Sequence, residues 1–341
     1  MRARHALVAS ALLLLALSGA LFATRVPSSA PTPQISVHVN LVSVPVTVTD
    51  ARGEFVSKLS RENFRLLVDG VEQPIEYFTS EEEPAQVLIL LETGPAVYLL
   101  RGEHIAAAAA LLSGLGADDR VAVASYGDTP QLLLNFTTDK RQVAASLQAA
   151  NYGLGMANLN FYASMASVLD WMASASDSAP TAASSSGGGK RAIVALTTGL
   201  DSSGPGPWQH LLERMQKSNV LVLPVALGGE LRETGGRGKK PEESGAPPGE
   251  ELSFAESTRA LETIAAETGG HAFFPRNARD FADAYRRIAA LLRHQYSLGF
   301  TAATADGHYH TIRVELAGAH VGKAGRDYRI NSRRGFLAPA Q

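Results

Sequence analysis

Gln86-Val-Leu-Ile-Leu-Leu-Glu92-Thr-Gly-Pro-Ala96 is the stretch on which the fold turns. Val87 to Leu91 is an unbroken apolar run with no polar alternation. Such a run buries both of its faces, as an inner strand of a parallel sheet does. It ends on a carboxylate, Glu92, and Thr-Gly-Pro then opens a loop. Ligands of open α/β sheets gather at the carboxyl ends of the strands, so Glu92 and the loop behind it are the first candidate site.

Downstream, apolar strands and helical patterns alternate. Strands are expected over 121–125, 132–136, 192–196, 220–227 and 271–274, and helices over 106–112, 140–150, 162–173, 208–216, 254–268 and 280–293. In the last helix Phe281, Tyr285, Ile288 and Leu292 share one face. The pattern predicts an α/β fold with a doubly wound, mainly parallel sheet, Rossmann-like, and helices on both faces. Ser253-Phe-Ala-Glu256 reads as a capping box, and Gly269-Gly270 stops the helix that it opens. Two stretches, 174–189 and 228–251, are rich in small, turn-forming or charged residues and read as surface insertions.

The flanks read as β structure. Val37, Val39 and Leu41 alternate with polar residues, then the phase slips to Val42, Val44, Val46 and Val48, which predicts a bulge or break near Leu41-Val42. Asp69-Gly70 centres a hairpin. Strands return over 295–301, 310–316 and 326–330. Neither flank is large enough to stand alone, so the two are expected to pack together as one β layer against the sheet domain.

Arg2, Arg4 and His5 precede an apolar run over 6–17 and Ser18-Gly19-Ala20, the pattern of a secretory signal peptide. An uncleaved anchor is the alternative. The expected organisation is a signal peptide over 1–20, a flexible stalk over 21–34, an N-terminal β module over 35–84, an α/β domain over 85–294 and C-terminal strands over 295–341. The location implied is periplasmic or extracellular, with no membrane contact apart from the signal segment.

The 341 residues are 45% hydrophobic and 19% charged, ordinary for a globular chain with a sizeable core. A net charge of −2 with scattered basic residues gives no ground for nucleic-acid binding. The absence of cysteine excludes disulfides, thiolate metal sites and a catalytic thiol.

Other motifs carry less. Ser184-Ser-Ser-Gly-Gly-Gly-Lys-Arg191 has Ser where a phosphate-binding loop needs its first Gly, and Arg191 where it needs Ser or Thr. Gly204-Pro-Gly-Pro207 lacks the third Gly of a dinucleotide fingerprint and reads as a stiff loop. His308 and His310 form a conceivable zinc pair on one strand face without a third ligand, and exposed histidines on an outer strand are the plainer reading. Asp118-Asp119 reads as a turn. There is no Gly-x-Ser-x-Gly elbow and no His-Glu-x-x-His, so nothing argues for an enzyme.

Several ordered fragments carry a resemblance. They include Val46-Thr-Val-Thr-Asp-Ala-Arg-Gly-Glu-Phe-Val56, Asp69-Gly-Val-Glu-Gln-Pro-Ile75, Phe136-Thr-Thr-Asp139 and Leu196-Thr-Thr-Gly-Leu-Asp201. Thr268-Gly-Gly-His-Ala-Phe-Phe274, Arg293-His-Gln-Tyr-Ser-Leu-Gly-Phe300 and Arg333-Arg-Gly-Phe-Leu-Ala-Pro339 continue them. The chain resembles exported bacterial VWFA-related proteins of the von Willebrand factor type A superfamily over roughly residues 36–339. The resemblance implies a doubly wound sheet with a metal-ion-dependent adhesion site at the strand ends, built on Asp-x-Ser-x-Ser, a later Thr and a further Asp. Here Glu92 stands for the first Asp, and Gly94 and Ala96 stand for the two Ser. Leu159 falls where the Thr belongs, with Asn158 and Asn160 beside it, and Thr198 and Asp201 occupy the last loop.

Mg²⁺ needs a near-octahedral shell of hard oxygens. With both hydroxyl positions lost and a carboxylate lengthened, no metal or other cofactor is expected. The leading reading is a protein-binding or adhesion-type module in the cell envelope, with Thr93, Asn158, Thr198 and Asp201 left to hydrogen-bond. Its partner would be a protein or an envelope surface component. The alternatives are a Mg²⁺-dependent module using Glu92 and Asp201, a structural envelope scaffold, and a hydrolase.

Overall fold

A computed structural model of the chain describes residues 41–79, 83–94, 97, 101–153, 159–177, 190–229, 254–302, 305–317 and 328–340. The signal segment, the stalk, the residues before Leu41, Ser253 and most of both insertions lie outside them. The chain opens with β1 (Leu41–Thr49), β2 (Phe64–Val68), β3 (Val71–Gln73) and β4 (Tyr77–Thr79). Next come β5 (Ala85–Glu92), α1 (Arg101–Gly114), β6 (Arg120–Tyr126), β7 (Gln131–Thr137), α2 (Lys140–Ala149) and α3 (Phe161–Asp177). They are followed by β8 (Lys190–Thr197), α4 (Pro205–Lys217), β9 (Leu221–Ala226), α5 (Phe254–Thr268) and α6 (Ala278–Arg293). β10 (Tyr296–Thr301), β11 (Tyr309–Leu316), β12 (Arg329–Ser332) and β13 (Gly335–Leu337) close the chain.

The central sheet has the order β7-β6-β5-β8-β9, parallel except for β7. Counted by its own strands this is 3-2-1-4-5, the doubly wound arrangement with the switch point beside β5. The apolar run of β5 is shared between two cores. Val87, Ile89 and Leu91 pack with residues of α1 and α6, whereas Leu88 and Leu90 pack with residues of α3, α4 and α5. No described helix is long and apolar enough to cross a membrane.

Three elements differ from the sequence expectation. Gly204-Pro-Gly-Pro207 is no stiff loop: Pro205 starts α4, because proline's fixed φ and missing N–H suit a first helical turn. α3 runs on through Ser174 to Asp177, since its small residues do not interrupt a helix already nucleated upstream. The strand expected over 271–274 is a single parallel bridge between Phe273 and Val225.

The flanking strands form two antiparallel sheets, β12-β1-β10-β4 and β13-β11-β2-β3, each drawing on both ends of the chain. The expected single layer is therefore a sandwich. Val44, Val46, Leu298 and Phe300 from one sheet share a core with Leu66, Ile312, Val314 and Phe336 from the other. At the hairpin tip Asp69 and Gly70 both have positive φ, the backbone of a tight two-residue turn.

Arg333 joins the sandwich to the α/β domain. It is 2% exposed, and its guanidinium donates to Gly335 O (2.7 Å), Gln216 O (2.8 Å), Ser218 O (2.9 Å), Asn219 Oδ1 (3.3 Å) and Ser43 O (3.4 Å). Two of those carbonyls belong to the end of α4, where the helix dipole favours a cation. Burial pulls the Arg333 pKa down to about 10. Beside it, Asn331 Nδ2 donates to Gly269 O and Gly270 O at 2.8 and 3.0 Å. Both glycines are required: a Cβ on Gly269 would lie 2.6 Å from Arg333 N, and one on Gly270 would lie 2.0 Å from Val222 O.

His310 is neither exposed nor paired with His308 as a ligand. Its ring stacks on Phe336 and lies between Asp69 Oδ2 (2.7 Å from Nδ1) and Asp306 Oδ1 (3.2 Å from Nε2). Asp69 also accepts Thr311 N and Oγ1, at 2.8 and 2.9 Å. The His310 contact, first, and the Thr311 donors pull the Asp69 pKa to about 2, and the Asp69 hydrogen bond raises that of His310.

Arg333→Leu strands several buried carbonyls and is expected to cost about 3 kcal/mol in urea unfolding, with Arg333→Lys recovering little because an ammonium cannot span the same acceptors. The His310 clasp predicts a stability window. Asp69 contributes fully above its unfolded value of 3.8 and loses that contribution as pH falls through about 2. His310 contributes fully below its unfolded value of 6.5 and loses it as pH rises through the raised folded value. Melting temperature measured against pH should fall on both sides of that window, and Asp69→Asn should flatten both limbs.

Candidate functional site

Neighbouring parallel strands end together, so β5, β6 and β8 bring Glu92, Tyr126 and Thr197 to one place. Glu92 is 1% exposed. Its Oε2 accepts the Thr198 N–H (2.6 Å), the Tyr126 hydroxyl (2.8 Å) and the Thr197 hydroxyl (3.1 Å). The Thr198 hydroxyl reaches both carboxylate oxygens, at 2.9 and 3.0 Å. All four donors converge on Oε2, and Oε1 is reached only by the shared Thr198 hydroxyl; the Tyr126 and Thr197 hydroxyls also touch each other, at 2.5 Å. Burial pushes the Glu92 pKa up, opposed by these hydrogen bonds. Burial, reinforced by the Glu92 charge, drives the Tyr126 pKa well above its ordinary range.

The loops around Glu92 are tied by the same kind of bond. The Thr93 N–H and hydroxyl both donate to Tyr126 O, at 2.9 and 3.0 Å, and Thr93 O accepts Gly153 N at 2.9 Å. Thr197 Oγ1 accepts Gly199 N at 2.7 Å, and Thr198 O accepts the Ser257 hydroxyl at 2.9 Å. Asp201 Oδ2 accepts Tyr162 N (2.8 Å) in the first turn of α3, and its Oδ1 accepts Ser203 N (2.8 Å) and the Ser203 hydroxyl. Asn160 Nδ2 donates to Asp128 O and Oδ1, at 2.8 and 3.2 Å.

Of the residues singled out in sequence, the fold brings Glu92, Thr93, Gly94, Thr198 and Asp201 to this end of the sheet. Ala96 and Asn158 lie outside the described residues. Thr198 is turned inward and buried, so it serves Glu92 instead of facing solvent. Tyr126 and Thr197 are the members that sequence reading missed. The signal was present, since each is the last residue of an apolar strand next to the one that ends on Glu92.

The resemblance implies Mg²⁺ here, and the residues do not fit it. Octahedral coordination needs free oxygens about 2.1 Å from the ion. Glu92 is buried with its Oε2 taken by the chain's own donors, and Asp201 holds two turns together. Gly94 offers no side chain, and Leu159 Cδ2 sits 3.1 Å from the point where a Cβ on Gly94 would stand. Among the described residues no group of three or more His, Asp or Glu side chains could hold a metal ion.

Strand order, helices on both faces and loop carboxylates at the carboxyl edge define the class: a doubly wound α/β domain carried with a β-sandwich. No protein-family model and no curated protein matches the sequence. Among solved structures, the chain is similar to an aerotolerance-related membrane protein from Bacteroides fragilis, with 17% identity over 61% of this chain and 98% of that one, at a TM-score of 0.42. It is similar to BatB from Bacteroides thetaiotaomicron, with 17% identity, the same coverages and a TM-score of 0.38. A von Willebrand factor type A protein from Catenulispora acidiphila aligns over 88% of this chain and 75% of its own, with 10% identity and a TM-score of 0.41. The class rests on the strand order and the packing described above, not on these alignments.

Thr198→Val and Tyr126→Phe each remove one hydroxyl donor from a buried carboxylate and are expected to cost about 2 kcal/mol. Because both serve Glu92, a double-mutant cycle in urea should return a coupling energy of about 1 kcal/mol or more.

Proposed function

We propose that the protein is an exported, non-enzymatic protein-binding module that works at the carboxyl end of its central sheet without a bound metal. The observation that carries this reading is the Glu92 carboxylate, whose charge is met by Tyr126, Thr197 and Thr198 instead of being presented to an ion. A site of this kind cannot bridge to a partner's acidic group through a metal. What it offers is a surface of loop groups held in place from below: Thr93, Gly127, Asp128, Asn160 and the exposed Ser202. Export rests on the basic, then apolar, then small-residue pattern of residues 1–20. The partner proposed is a protein or another component of the envelope surface.

Calorimetric titration with Mg²⁺, Mn²⁺ and Ca²⁺ tests the metal-free part and should give no saturable heat and no shift in melting temperature. Capture of partners from an envelope extract should survive a chelator and be lost in Ser202→Arg. Saturable binding abolished by Glu92→Ala and Asp201→Ala would replace this reading with metal-dependent adhesion.

A further inference from the structure

Tyr162 and Trp208 stand in the first turns of α3 and α4, beside the strand-end loops. Their rings meet edge to face, with centroids 5.1 Å apart and planes inclined at 62°. Both are half-buried and rest on the core shared by α3, α4 and α5. Neither the Tyr162 hydroxyl nor the Trp208 indole N–H has a hydrogen-bond partner among the described residues. Tyrosine and tryptophan held in this way, the ring packed and the polar tip free, are the groups that dominate binding interfaces.

The charge beside the pair is negative. Asp201 Oδ2 accepts the Tyr162 N–H, and the exposed Glu256 lies in the first turn of α5. Burial, then the Asp201 and Glu256 charges, push the Tyr162 pKa up to about 12, and no basic group among the described residues opposes them. Three helices start here, and helix starts ordinarily favour anions. That preference is already met or removed. Asp201 occupies the start of α3, and Glu256 that of α5. α4 opens with Pro205-Gly-Pro-Trp208, and its two prolines have no N–H to offer a ligand.

We propose that this aromatic shelf receives an arginine side chain of the protein partner. The inference rests on the reading of the strand ends as a protein-binding surface, and it gives that partner its chemistry. A guanidinium is planar, weakly hydrated and suited to stacking on aromatic faces. Asp201 and Glu256 supply the opposite charge beside the rings. A lysine ammonium, compact and strongly hydrated, gains less from such a surface. An acidic side chain would meet like charge at both carboxylates and find few helix N–H groups to accept. Asp128, exposed on the neighbouring loop and tied to Asn160, continues the same sign across the surface.

Fluorine NMR of the protein labelled with 5-fluorotryptophan reads the shelf directly, because the chain has two tryptophans. Trp171 lies about 13 Å along the α3 axis from Tyr162 and serves as the internal reference. Titration at low salt with acetyl-Gly-Arg-Gly-amide should shift the Trp208 signal to saturation and leave that of Trp171 in place. The citrulline peptide, of the same shape without the charge, should bind about tenfold more weakly, and the glutamate peptide should not bind. Glu256→Gln should weaken the arginine peptide about threefold, with melting temperature confirming that the variant is folded. An unmoved Trp208 signal, or arginine and citrulline peptides that bind equally, would overturn the proposal. Partner capture that survives a chelator, is lost in Ser202→Arg and is unchanged in both Trp208→Leu and Glu256→Gln would leave the protein-binding reading standing and overturn this inference alone.

Discussion

A strand buried on both faces must be covered twice, and the architecture follows from meeting that demand at β5. Val87, Ile89 and Leu91 need one helical layer, and Leu88 and Leu90 need another. The chain supplies both by winding outward from β5 in two directions. That same winding places the end of β5 at the switch point, with a strand end on either side. A carboxylate at this spot is surrounded by protein and has to find its hydrogen bonds there. The chemistry of Glu92 is thus a consequence of the burial of the five residues before it.

The sequence made the α/β class, most element positions and the hairpin at Asp69-Gly70 legible, because each rests on local patterning. Apolar runs, helical periodicity and turn residues report on their own neighbourhood. What stayed hidden depended on residues far apart. The inward turn of Thr198 follows from Tyr126 and Glu92, which lie on other strands. His310 looked like an exposed histidine until the hairpin brought Asp69 to it across the sandwich. The helical start at Pro205 was obscured because prolines were read as loop formers when two of them sit in a first turn. That Gly94 and Leu159 carry no side-chain oxygen is legible in sequence, but the gathering of Tyr126, Thr197 and Thr198 on Glu92 is not.

The fragments that carry the family resemblance are spread along the chain, yet two of them meet at one place away from the strand ends. Thr268-Gly-Gly packs against Asn331 and Arg333, and the Thr268 hydroxyl accepts Val222 N at 3.0 Å. Close backbone approach excludes any side chain at either glycine, and a buried cation with only carbonyl and amide acceptors excludes a shorter residue at Arg333. These residue choices answer to the joint between sandwich and sheet domain. The strand-end loops are free of that demand.

The sandwich is assembled from both ends of the chain, and this bears on how the protein can be made. Ser43 and Ser297, 254 positions apart in sequence, share a hydrogen bond. During synthesis β1 therefore emerges long before β10 and β12, the strands that complete its sheet. Non-local pairing of this kind slows folding and leaves strand edges open in the meantime. The α/β core, built from successive neighbours, can form early, while the sandwich must wait for the last residues. Any delivery of the chain N-terminus first meets the same order of events, and the late-closing sandwich is the step at which its strand edges stay open longest.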